Sequence, residues 1–123
     1  MLLQKNKLIL AAVQDFGLSS RISETARNLG IEVFFMRNKA EAFRDFKSKP
    51  QMLLIDLNLK NFDPLAFIEQ ARKDSRTTDL TIVGYLSPAQ TSLREKALKS
   101  GCDKVLTRLE FETRISTILS GGM

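Results

Sequence analysis

Met52-Leu53-Leu54-Ile55-Asp56-Leu57-Asn58, followed by Asp63-Pro64, decides the fold. Four apolar residues without alternation read as a strand buried on both faces, and it runs into a carboxylate. Asp63-Pro64 is a strong helix start, an N-cap acid followed by proline at the first helical position. Leu65, Ile68 and Ala71 or Arg72 then share one helical face. The unit is strand, loop, amphipathic helix.

Reading outward, the same unit occurs five times. On the amino side, Leu8–Val13 is a strand, and Leu18, Ile22, Ala26 and Leu29 lie at helical spacing closed by Gly30. Ile31–Met36 is a second strand. Asn38 with Glu41 three residues on makes a capping-box signal, predicting a helix that turns Ala42, Phe43 and Phe46 inward and ends at Pro50. On the carboxyl side, Leu80–Leu86 is a fourth strand. Ser87-Pro88 opens a helix through Leu93, Ala97 and Leu98, stopped by Gly101. Lys104-Val105-Leu106 is the fifth strand, and Phe111, Ile115, Ile118 and Leu119 line a final helix. The tail, residues 120–123, is expected to fray at Gly121-Gly122.

Continuous apolar strands separated by helices predict an α/β protein: a doubly wound, five-stranded parallel sheet with helices on both faces. The expected strand order is 2-1-3-4-5, the flavodoxin-like arrangement. The 123 residues suit one domain, 1–123. No apolar run approaches the roughly 20 residues of a membrane span, and Met1–Lys7 lacks the pattern of a secretory leader. The expectation is a cytoplasmic protein.

Composition excludes whole classes of chemistry. With 0 histidines the chain supplies no Ser-His-Asp or Cys-His pair, no zincin motif and no phosphohistidine. With 1 cysteine it forms no internal disulfide or thiolate cluster, and Cys102 reads as a small buried residue rather than a nucleophile. The net charge of +5 admits acidic partners or nucleic acid, but 19 basic residues are scattered among 14 acidic ones. The densest patch, Lys39 to Lys49, is interrupted by Glu41 and Asp45 and reads as a solvated helix face. Gly17 stands alone, so no phosphate-binding glycine loop is present.

In a doubly wound sheet, chemistry sits at the carboxyl ends of the strands. Gln14-Asp15-Phe16, Asp56-Leu57-Asn58, Ser87-Pro88 and Thr107-Arg108 are therefore brought to one edge. Two readings stand for several of these. Asp15 caps the first helix or binds a cation; Asp56 is a solvated acid or a functional one; Ser87 is an N-cap or a phosphate contact.

From Lys7 to about Leu119 the chain resembles, in register, the receiver domains of response regulators. The matching segments are Leu53-Leu54-Ile55-Asp56-Leu57-Asn58-Leu59 with Phe62-Asp63, Val83-Gly84-Tyr85-Leu86-Ser87, and Ala97 through Arg108. The resemblance implies that Asp56 takes the phosphoacceptor place and that Asn58 offers its backbone carbonyl to magnesium. It also implies that Ser87 is the switch hydroxyl and that Asp15 is the one candidate for the acidic pair of the metal site. Nucleophilic attack by a carboxylate on a phosphoryl group needs a divalent cation to offset the crowded charge.

The departures are equally specific. Gapless alignment puts Val13 and Gln14 in the acidic slots, Arg108 in the lysine slot, Leu109 in that of the following proline and Val105 in that of the strand-five aromatic. Pro88 replaces the small residue after the hydroxyl. A planar guanidinium does not substitute for a compact ammonium at a tight site. Arg108 has two readings, phosphate contact or direct ion pair with Asp56. The expected function is that of a stand-alone, degenerate receiver-like signalling protein, not an enzyme. It would act by protein contact, with weak magnesium binding at Asp15, Asp56 and Asn58 and with phosphorylation at Asp56 weak or lost. Its expected partner is a histidine kinase, an effector or a second copy, met through Thr91–Leu119. A conventional magnesium-dependent phosphoacceptor, a small basic nucleic-acid-binding protein and, more distantly, a flavodoxin-like electron carrier are the alternatives.

Overall fold

A computed structural model describes residues 7–122. Residues 1–6 of the segment read above as lacking a leader, and Met123 of the tail, lie outside the described residues. The strands are β1 (Leu8–Ala12), β2 (Glu32–Phe35), β3 (Pro50–Asp56), β4 (Thr81–Leu86) and β5 (Lys104–Thr107). They form one parallel sheet in the order β2-β1-β3-β4-β5, the order expected from the repeated units. The helices are α1 (Phe16–Leu29), α2 (Pro64–Lys73), α3 (Thr91–Ser100), α4 (Arg108–Thr113) and α5 (Ile115–Leu119).

Strand alternation divides the apolar side chains between two layers. Ile9, Ala11, Met52, Leu54, Val83, Tyr85 and Leu106 face α1, α4 and α5, where Ile22, Phe111 and Ile118 are fully buried or nearly so. Leu10, Leu53, Ile55, Ile82 and Val105 face α2 and α3, against Phe67, Ile68 and Ala97. Among the described residues no helix is long and apolar enough to cross a membrane. Cys102 is buried, which pushes its thiol up to about 12, with the neighbouring Asp103 adding to the effect. Its sulfur is a packing group.

Three helix readings need correction. The helix expected after Asn38 is only a 3-10 turn, Lys39–Phe43. Asn38 makes no side-chain cap, and the Glu41 carboxylate instead reaches the Arg37 backbone N–H (2.6 Å) and guanidinium (2.9 Å). Beyond Phe43 the chain is extended at Arg44, and Phe46 packs edge-on against Phe34 of β2. Secondly, Ser87-Pro88 forms a turn closed by the Gln90 N–H on the Ser87 carbonyl (3.0 Å), and α3 starts only at Thr91. Proline at the second turn position favours that geometry. Leu98, expected inside, is exposed.

Thirdly, the last helix is two pieces separated at Arg114 (φ −114°, ψ 17°). Its start is fixed immediately after β5 by a capping box: Thr107 Oγ1 accepts from the Glu110 N–H (3.1 Å) and Glu110 returns the bond to the Thr107 N–H (2.9 Å). At the carboxyl end Gly121 and Gly122 turn back, donating to the Ile118 and Thr117 carbonyls at 2.9 and 3.0 Å. Gly121 has φ 83°, a left-handed value that glycine adopts without strain.

One close approach bears on the functional edge. A Cβ on Gly84 would lie 3.0 Å from the Leu57 side chain. The bare β4 backbone lets Leu57 pack inward directly after Asp56, with its N–H on the Tyr85 carbonyl at 3.0 Å.

Candidate functional site

The carboxyl ends of β1, β3, β4 and β5 bring Asp15, Asp56, Ser87 and Arg108 to one edge of the sheet. Asp15 follows Val13-Gln14 and is the N-cap of α1, its Oδ1 accepting from the Leu18 N–H at 2.8 Å. Its other oxygen, Oδ2, accepts from the Arg108 guanidinium at 2.8 Å. That Arg108 bond, followed by the Leu18 N–H, holds the Asp15 carboxyl below the usual carboxylate range. Asp15 therefore caps α1 with one oxygen and pairs with Arg108 through the other.

Arg108 is the first residue of α4. Its Nε donates to Glu112 one turn on at 2.8 Å, so Glu112 and Asp15 together raise its already high pKa. Glu112 continues the chain of charges to Arg21 of α1, 3.9 Å away. The fork geometry of arginine makes this bridging possible. Arg108 therefore pairs with Asp15 and Glu112, not with Asp56. The reason is positional: helix α4 begins directly at Arg108, which aims the side chain across the β5 and β1 ends.

Asp56 ends β3 half-buried, and its Oδ1 accepts from the Asn58 N–H at 2.8 Å in a local Asx turn. Asn58 is exposed, and its amide makes a reciprocal pair with Gln90, both bonds 2.8 Å. Gln90 Oε1 also accepts from the Ser87 N–H at 3.0 Å. One glutamine thus clasps the loops after β3 and β4. Ser87 itself is exposed.

Beneath these groups is Tyr85, 2 % exposed, its hydroxyl buried with no hydrogen-bond partner among the described residues. Burial raises the phenol's pKa, and the Asp56 carboxylate adds to that effect. Its ring stacks on Phe111 of α4 at 4.7 Å between centroids. Gln90, Glu112 and Tyr85 were not singled out from the sequence. Glu112 at four residues from Arg108 was a visible helical ion-pair signal. Gln90 and Tyr85 gave none, because their roles depend on loops and strands meeting in space.

Among the described residues, no group of three or more His, Cys, Asp or Glu side chains is placed to hold a metal ion. With Asp15 engaged by Arg108, the donors left for a divalent cation are one carboxylate, Asp56, and the Asn58 carbonyl. Mg²⁺ takes near-octahedral oxygen ligands and is bound through carboxylates plus waters. As arranged, the protein offers one free carboxylate and one carbonyl at this position, and waters would supply the remaining ligands of a bound Mg²⁺.

Comparison with known proteins shows the fold to be that of CheY-like response-regulator receiver domains. The receiver domain of a sensor histidine kinase of Pseudomonas aeruginosa, crystallised with magnesium in its active-site cleft, superposes with a TM-score of 0.76 at 20% identity, covering 94% of this chain and 95% of that one. The chemotaxis response regulator CheY4 of Vibrio cholerae gives 0.78 at 16% identity, covering 95% and 98%. A phosphorylated cyanobacterial phytochrome response regulator gives 0.75 at 18% identity, covering 94% and 89%. No family model matches the chain, and no curated protein matches it by sequence.

Proposed function

We propose that this chain is a receiver-like signalling module that works by binding another protein, with phosphorylation at Asp56 weak or lost. The observation that carries the reading is the Arg108–Asp15 pair at 2.8 Å. A tethered guanidinium neutralises the carboxylate that a metal-dependent receiver needs free, so the cation requirement is met without supporting phosphoryl transfer. A contact function is supported by two exposed apolar side chains, each next in sequence to one member of that pair. Phe16 is 85% exposed and Leu109 70%. Exposed apolar groups beside a fixed ion pair suit a protein interface.

The partner face extends through Thr91–Leu119, where Leu98 is also exposed. Its occupant under this reading is a histidine kinase, an effector or a second copy of the chain, and a cytoplasmic location goes with it. A conventional phosphoacceptor is the second reading, favoured by an Asp56 carboxylate that no cation among the described residues engages.

Backbone amide NMR separates the two. Mg²⁺ at millimolar concentration followed by beryllium fluoride, which mimics an acyl phosphate on aspartate, is expected to leave Asp15, Asp56 and Ser87 unmoved. Saturable shifts at those residues that spread into α4 and α5 would overturn the reading in favour of the phosphoacceptor.

A further inference from the structure

At the opposite, amino-terminal end of β3 the missing helix leaves a cleft of about 630 Å³. It lies between the irregular segment after the 3-10 turn and the loop after α2, with Arg44, Lys47, Lys49 and Arg76 on its walls beside Phe43 and Phe46. Two of the four cations are compensated: Lys49 by Asp79 at 3.6 Å and Arg76 by Asp74 at 2.6 Å. Arg44 and Lys47 form no ion pair among the described residues, and the lining carboxylate Asp45 forms none either.

The arginines are held in place by rings. The Arg44 guanidinium lies 4.9 Å from the Phe34 centroid and 5.4 Å from that of Phe46. Those two rings meet edge-on at 5.4 Å, so the guanidinium rests on a fixed aromatic pair. Arg76 lies 5.2 Å from the Phe43 ring and donates to the Phe43 carbonyl. An arginine already ordered by stacking loses less freedom when it binds an anion, and its planar fork matches phosphate oxygens. The volume falls within the roughly 300–1,000 Å³ of small-molecule sites, and half-buried phenylalanines supply flat apolar walls.

We propose that this cleft binds a phosphate-bearing small molecule of nucleotide size, its phosphates on Arg44 and Lys47 and its flat ring against Phe43 and Phe46. The site is separate from Asp56: the seven residues of β3 put about 20 Å between the two ends. An acidic polypeptide is the competing occupant, disfavoured because Phe43 and Phe46 on the walls offer flat apolar faces that a ring covers and an acidic chain does not.

The test is isothermal titration of the whole chain at low salt with ATP, GTP, inorganic pyrophosphate and poly-L-glutamate. The expected result is saturable one-to-one binding of a nucleotide, weakened about tenfold by Arg44→Gln or Lys47→Gln and unchanged by Asp56→Asn. Both cleft residues are exposed, so an unchanged thermal melt serves as the folding control. Absence of nucleotide binding at millimolar concentration overturns the proposal, as does binding indifferent to Arg44→Gln and Lys47→Gln. Pyrophosphate binding as tightly as the nucleotides overturns the nucleotide-sized ligand. Poly-L-glutamate binding more tightly than any nucleotide assigns the cleft to a protein and overturns the ligand class.

Discussion

At the carboxyl end of the sheet, Arg108 is held at 2.8 Å by Asp15 and again by Glu112, whereas at the amino end Arg44 rests on Phe34 and Phe46 with no carboxylate paired to it among the described residues. Both guanidinia have defined neighbours, but of opposite kinds. Carboxylates cancel charge as they fix geometry; aromatic faces fix geometry and leave the charge in place. At the carboxyl end the arginine's charge is cancelled by two carboxylates, while Asp56 beside it pairs with no cation among the described residues. The end where a helix is missing has become an ordered, uncancelled cation.

The strongest way to break this contrast is to remove what supports the open end. Phe67 is fully buried under the cleft, edge-on to Phe43 at 6.0 Å and to Phe62 at 5.4 Å. Phe67→Ala should cost about 3–5 kcal/mol in urea denaturation, from lost transfer energy and the cavity left behind. A loss below 1 kcal/mol, set against that range, would mean that the layer collapses freely and that the cleft has no rigid floor.

A sharper probe acts on the carboxyl end. Arg108→Ala frees Asp15, and Mg²⁺ affinity read by amide shifts at Asp15 and Asp56 should tighten about tenfold. An unchanged titration would show that the ion pair is not what keeps the cation out. Next in size is Tyr85→Phe, which deletes a buried hydroxyl that has no hydrogen-bond partner among the described residues. Its expected effect on stability is between none and a gain of about 1 kcal/mol, checked by thermal melting. A clear loss would reveal a working hydrogen bond, with the neighbouring Asp56 the candidate acceptor.

The smallest expected effect is the acid limb. Asp74, drawn from its ordinary 3.8 to about 2 chiefly by its Arg76 hydrogen bond, contributes stability present above 3.8 and lost as pH falls through about 2. Asp15 is also lowered, chiefly by Arg108, so its contribution has the same sign and disappears below its ordinary 3.8. Stability should therefore be flat with respect to these pairs from pH 7 to about 5 and decline below about 4. Asp74→Asn should remove part of that decline and loosen Arg76 at the open end. Urea midpoints across pH would check both.

Much of the architecture was legible because it depends on local pattern. Leu8–Val13 and Met52–Ile55 are unbroken apolar runs and Leu80–Leu86 is a mostly apolar one, which a two-sided sheet buries, and Asp63-Pro64 caps α2 as read, with Asp63 accepting from the Leu65 and Ala66 N–H groups. Where two local outcomes were close in energy, pattern was insufficient. Asn38-x-x-Glu41 has the capping-box spelling, yet Glu41 is drawn to Arg37, and Phe43 and Phe46 are half-covered by different neighbours instead of one helix face. Thr107-x-x-Glu110 has the same spelling and does form the box, because β5 delivers Thr107 in extended geometry just where α4 begins.

By itself, the sequence determined the strands, their parallel arrangement and the set of polar groups brought to one edge, since periodicity and strand ends fix these within each unit. Only the tertiary structure decided how those groups are matched. Asp15 and Arg108 are 93 positions apart, and Asn58 and Gln90 are 32 apart. Which carboxylate an arginine meets depends on where a helix starts and how two distant loops close, and neither is encoded in the spacing around either residue.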